Sequence, residues 1–149
     1  AMFRYIYHAS RIIFGGWWLY SGLMHFIDRD WQPLGQHQAA IDFTLALIAS
    51  GLFEWIKVIE VILGIAILLN RAMPLTIIAL VPINIVICYW NFVLDPGVVE
   101  YVFGALSILF NAILAWPWRR YFWPLVLWKG RADYGPGIGW PYAPDQPPS

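Results

Sequence analysis

Glu54, Lys57 and Glu60 recur at intervals of three within Gly51-Leu-Phe-Glu54-Trp-Ile-Lys57-Val-Ile-Glu60-Val-Ile-Leu-Gly64, a stretch otherwise built from apolar side chains and glycine. On a helix this spacing puts the three groups on adjacent turns of one broad face, where Lys57 can pair with either carboxylate. An amine beside a carboxylate can hold a proton, donate to a carbonyl oxygen, or neutralise its neighbour. Inside lipid, each such group left unpaired costs about 2.5–3.5 kcal/mol at the bilayer centre. The face is therefore expected to point into a protein interior.

Other polar groups fall at a similar depth. His25 ends the first apolar run, Tyr89 and Asn91 lie shortly before the end of the third, and Asp95 and Glu100 border the loop that follows. With Glu54, Lys57 and Glu60 they are expected to converge on a polar site in one half of the molecule, while Asn84 and Asn111 lie deeper. Three readings are open: an ion pair that fixes helix register, a proton-coupled or quinone-facing site, or a path for a small solute. His8 and His37 are expected to be solvated or interfacial. No pair of histidines has the spacing of a zinc, haem or di-iron site, so no metal is expected. Cys88 stands alone in an apolar run, where a thiol behaves as a small hydrophobe.

Composition dictates what must carry these residues. With 60% hydrophobic and 12% charged side chains, the chain has too little polar surface to solvate a globule of its size. Its apolar runs are continuous, unlike the alternating strands of a membrane barrel. Four of them, about residues 5–27, 52–69, 74–94 and 98–116, are long enough to cross ~30 Å of hydrocarbon as helices. The expected fold is all-α, a four-transmembrane-helix bundle. The first run ends in His25-Phe26-Ile27-Asp28 without a small-residue cleavage pattern, so it is expected to stay as a span. Between spans 1 and 2, residues 38–49 place Ile41, Leu45 and Ile48 at helical spacing beside Asp42 and Thr44, which predicts an interfacial helix with Gly51 as the turn.

Cations set the orientation. Arg4, Arg11, Arg71, Arg119, Arg120, Lys129 and Arg131 flank one side and only Arg29 the other, so both termini are expected to be cytoplasmic. A formal charge of zero gives no basic patch for nucleic acid. Trp31, Trp55 and Trp90 are expected in the outer aromatic belt, and Trp116, Trp118, Trp123 and Trp128 in the inner one. Residues 117–129 combine prolines, cations and aromatics as an interfacial segment. The Pro/Gly-rich residues 130–149 cannot build a core and are expected to be held by another chain. Trp17 and Trp18 lie mid-span; with Trp118, Trp123, Trp128 and Trp140 they are candidates for packing on a partner or pigment. Gly15-Gly16, Gly22, Gly64 and Gly104-Ala105 suit close helix approach, and Pro82 should bend the third span and widen the bundle beside Asn84.

The run Gly22-Leu-Met-His25-Phe26, the segment closing on Ser50-Gly51, the Lys57-x-x-Glu60-x-x-x-Gly64 stretch and the third span with Pro74 and Pro82 resemble the DoxX-like membrane proteins over roughly residues 10–115. The resemblance implies a compact four-helix bundle of a bacterial inner membrane and reaches Gly22, His25 or Phe26, Lys57, Glu60 and Gly64. It also implies an association with quinone-linked oxidation or with membrane complexes. Two functions are expected from this. One is an accessory subunit of a respiratory or photosynthetic membrane complex, docked through Trp-rich faces and the tail, with quinone, lipid or pigment at its periphery. The other is a quinone-linked oxidoreductase component with its site at His25, Glu54, Lys57, Glu60 and Asn91; no residue is assigned a catalytic role.

Overall fold

The computed structural model describes residues 2–132 and 134–136, and its regular structure among the described residues is entirely helical. Helix α1 spans Met2–Ile27, α2 Gln38–Ser50, α3 Leu52–Leu69, α4 Met73–Tyr89 and α5 Val98–Ala115. A π-helical turn, Trp90–Leu94, prolongs α4, and 3-10 turns at Trp116–Tyr121 and Trp123–Val126 follow α5. Counted with these extensions, Met73–Leu94 and Val98–Tyr121 are each long and apolar enough to cross a membrane. Helix α3 is as long as α5 but carries Glu54, Lys57 and Glu60.

Helices α1, α3, α4 and α5 close into a ring, α1 packing on α3 and α5, and α4 on α3 and α5. Helix α2 lies against α3 and the π-turn. The α1–α3 seam is the tightest because glycines face it. A Cβ on Gly64 would stand 2.6 Å from Leu19 N and 3.0 Å from Gly15 O, and one on Gly22 would stand 2.9 Å from Lys57 O. No side chain fits between backbones at that separation.

Helix ends are built from local chemistry. Gly51 takes the left-handed conformation (φ 80°) that turns α2 into α3. Asn70, also left-handed (φ 55°), ends α3, with its N–H on Ile67 O and the Arg71 N–H on Ala66 O. Asn70 Oδ1 accepts from Tyr7 OH (2.7 Å), which accepts from Trp118 Nε1 (3.0 Å), tying α1, α3 and the C-terminal turns together. Arg11 donates to the last α3 carbonyls, Ile67 O and Leu68 O.

The interior is aromatic and aliphatic, centred on Phe14, Trp18, Ile67, Leu80 and Leu114. Trp18 is consumed by this core, edge-on to Phe14 (5.7 Å), which removes it from the surfaces open to a partner or pigment. Trp118 is likewise engaged internally through Tyr7. By contrast Trp123 and Trp128 are 65% and 96% exposed. The aromatic segment also begins differently from expectation. Residues 116–121 prolong α5 as 3-10 turns; Pro117 has no N–H with which to carry on the α-helical hydrogen-bond ladder, and the helix changes type there. Trp140 and most of the Pro/Gly-rich tail lie outside the described residues.

Candidate ligand cavity

Toward the end of the ring that carries Asn91, α3 and α4 line a cavity of about 570 Å³ roofed by α2. That volume is within the ordinary range for small-molecule sites. Helix α3 contributes Phe53, Ile56, Lys57 and Glu60, and α4 and its extension contribute Pro82, Ile83, Val86, Ile87, Trp90 and Asn91. Trp17 and Ser21 close the back from α1, and Phe43, Thr44 and Leu47 form the roof. The walls are predominantly apolar, with a few polar groups set into them.

Lys57 and Glu60 are the only ionisable side chains on the wall, and both are buried, Lys57 at 4% exposure. Lys57 Nζ donates to Ser21 Oγ (3.0 Å) and Glu60 Oε2 (3.1 Å), and stands 4.9 Å from the centre of the Phe53 ring. An ammonium has three donors. Ser21 and Glu60 take two, which leaves the third available to an acceptor inside the cavity. Asn91 anchors its amide on Ile87 O (2.8 Å). Trp90 Nε1 donates to Thr44 Oγ1 (3.2 Å), whose hydroxyl donates to Ala40 O (2.9 Å), so the roof helix is pinned to the end of α4.

Of the five site residues expected from sequence, the fold thus brings together Lys57, Glu60 and Asn91. Glu54 lies apart from them: it is half-exposed and pairs with Arg29 of the loop after α1, one turn away from the Lys57 pair. His25 also stands outside the cavity lining. It is buried beside the cavity, but Phe53 stands in front of it, ring to ring at 5.0 Å, and neither ring nitrogen has a hydrogen-bond partner among the described residues. Tyr89 is exposed on the outside of α4. Glu100 folds back over Gly97 in the first turn of α5, where a carboxylate suits the positive helix end. Asn84 donates to Ser107 O (3.2 Å) and so joins α4 to α5; Pro82 lines the cavity, but the polar group beside it is turned elsewhere.

Sequence reasoning missed Ser21, Thr44 and the cavity role of Trp90, whose indole N–H bonds Thr44. Ser21 was legible in principle, since it lies one turn before His25 on the same face of α1.

Asp95 performs a separate task. Nearly fully buried, its Oδ1 accepts from the backbone N–H of Gln36 (2.8 Å) and His37 (2.9 Å) and lies 2.9 Å from His37 Nδ1. His37, expected to be solvated or interfacial, is half-exposed and also a partner in fixing the loop before α2. Burial by itself raises the Asp95 carboxyl, but the hydrogen bonds from the His37 ring and the two backbone N–H groups outweigh it and hold the pKa below the ordinary 3.8. A depressed carboxylate stabilises the fold fully above its unfolded pKa, and that contribution disappears as pH falls through the native one. Limited proteolysis should accordingly find residues 28–37 protected at neutral pH and cleaved faster below pH ~4. Asp95→Ala should give the fast cleavage at every pH, because the part-buried N–H groups of Gln36 and His37 lose their acceptor, at about 0.5–1.5 kcal/mol each.

Among the described residues no cluster of His, Cys, Asp and Glu could hold a metal ion. No family model matches the chain, and no curated protein or solved structure matches it.

Proposed function

We propose that this chain is a four-span protein of a bacterial inner membrane, with both termini cytoplasmic, that holds a lipid-soluble, carbonyl-bearing ring ligand of the quinone class between α3 and α4. The observation that carries the ligand reading is the cavity itself: apolar walls of quinone-ring size around one buried ammonium with a donor to spare. A quinone offers carbonyl oxygens to Lys57 and flat ring faces to Phe53, Trp17 and Trp90. Ser21 and Glu60 hold the ammonium in place.

Two further observations support the membrane reading. The outward faces of α1 and α3 are as apolar as those of α4 and α5, exposing Ile12, Ile13, Ile62 and Ile65 beside Ile78, Val81 and Ile85. Water would not tolerate so continuous a coat. The orientation rests on the cations of the sequence: Arg4, Arg11, Arg71, Arg119, Arg120, Lys129 and Arg131 flank one side of the spans and Arg29 the other. The DoxX-like resemblance belongs to this proposal; the residues that carry it, Gly22, Lys57, Glu60 and Gly64, belong to α1 and α3.

A second reading, an accessory subunit of a respiratory or photosynthetic complex, is favoured by the exposed run Trp123, Leu125, Val126, Leu127 and Trp128. The two are compatible, since a subunit can carry a quinone. Competitive photolabelling with an azidoquinone tests the ligand reading, with adducts expected on cavity residues of α3 and α4.

A further inference from the structure

At the Arg71 end, away from the cavity, α4, α5 and the C-terminal turns enclose a shallow groove of about 360 Å³. Val81, Ala112, Ala115, Phe122 and Leu125 line it, and Asn111 is its single polar side chain. The groove exists because the chain after the extended α5 places Phe122 and the Trp123–Val126 turn beside Ala112 and Ala115. Between two of its lining residues, Ala115 and Phe122, the chain carries Arg119 and Arg120. Arg119 is held in place by its bond to Trp116 O (2.8 Å) and by its position 4.6 Å from the Trp116 ring centre. Both of these arginines are exposed, as are Lys129 and Arg131. Residues 116–132 contain these four cations and no acidic residue, and among the described residues none of the four pairs with a carboxylate.

We infer that this groove seats one anionic phospholipid, an acyl chain lying along Val81, Ala112 and Leu125 and the phosphate-bearing headgroup on Arg119 and Arg120. The pairing is one of charge and shape together: an apolar trough whose lining residues Ala115 and Phe122 flank two exposed cations in the chain, with no carboxylate partner among the described residues, matches a molecule that is a hydrocarbon chain ending in an anion. Cationic pockets between helices at a cytoplasmic surface recognise such headgroups. Guanidinium groups suit phosphate better than ammonium groups do, because they donate in a fixed fork. The inference uses the membrane reading but is independent of what fills the cavity.

Native mass spectrometry of the full chain in neutral detergent, with added phosphatidylglycerol or phosphatidylcholine, tests it. One phosphatidylglycerol per chain should survive a detergent wash that strips phosphatidylcholine. Arg119→Gln with Arg120→Gln should weaken that retention by about 30-fold, roughly fivefold per cation near an anionic surface. Ala112→Phe, which fills the trough, should abolish it. Because the two arginines are exposed, their replacement leaves the packing intact and remains informative if Ala112→Phe misfolds. Equal retention of both lipids, retention unchanged in the double arginine variant, or displacement by inorganic phosphate alone would overturn the proposal. None of these results bears on azidoquinone labelling of the cavity.

Discussion

Lys57→Met is expected to lower stability in detergent by about 3–5 kcal/mol, because it leaves the Glu60 carboxylate buried without its cationic partner. The methionine fills nearly the same volume, so packing loss contributes little. Removing the second partner as well should reverse most of the effect: Lys57→Met with Glu60→Leu is expected to return to within about 1–2 kcal/mol of the parent. The double variant should nevertheless fail to bind ligand, since the spare donor is gone. Thermal unfolding of the three proteins measures this. A single substitution costing under ~1 kcal/mol would mean that water reaches the pair and that the cavity floor is not dry.

Gly64→Val should be comparably damaging for a reason unrelated to charge. The atoms an added Cβ meets, Leu19 N at 2.6 Å, Leu19 Cα at 2.9 Å and Gly15 O at 3.0 Å, are all backbone, so no rotamer change relieves the clash. Helices α1 and α3 must separate, at a cost of about 3 kcal/mol or more. Separation would also carry Ser21 away from Lys57, so ligand binding should fall together with stability. Gly16 provides the contrast. It meets nothing within 4 Å, so Gly16→Ala should be neutral or stabilise by up to ~1 kcal/mol through helix propensity. Comparing melting temperatures of these two alanine-or-larger variants isolates close approach from the general effect of losing glycine.

The helices were largely legible because hydropathy and breakers act locally. Helix α3 begins after Gly51 and ends at Leu69 as its sequence dictates, and α2 differs from the expected interfacial helix by a single residue at its end. The π-helical turn left no trace, since one extra residue in the hydrogen-bond ladder alters no hydropathy; yet it delivers the Asp95 N–H to Trp90 O (2.8 Å) and its carboxylate to the loop. Within the site, spacing alone allowed Lys57 either neighbour. Tertiary placement decided, because Arg29 is within reach of Glu54 while Ser21 holds the Lys57 amine toward the cavity. His25 lies outside the cavity lining for the same kind of reason: its place in the sequence was readable, but the Phe53 ring packed on it was not. The cavity itself depends on how α3 and α4 are placed beneath α2, which belongs to packing between elements and to no one segment.

Photolabelling of the detergent-solubilised chain by an azidoquinone, with adducts located by mass spectrometry, addresses the central claim most directly. The account expects labelling within residues 52–60 and 82–91, competed by excess unlabelled quinone and lost in the Lys57→Met/Glu60→Leu variant. Adducts spread over the outward residues Ile12, Ile62 and Ile85, insensitive to competitor and to that variant, would contradict it.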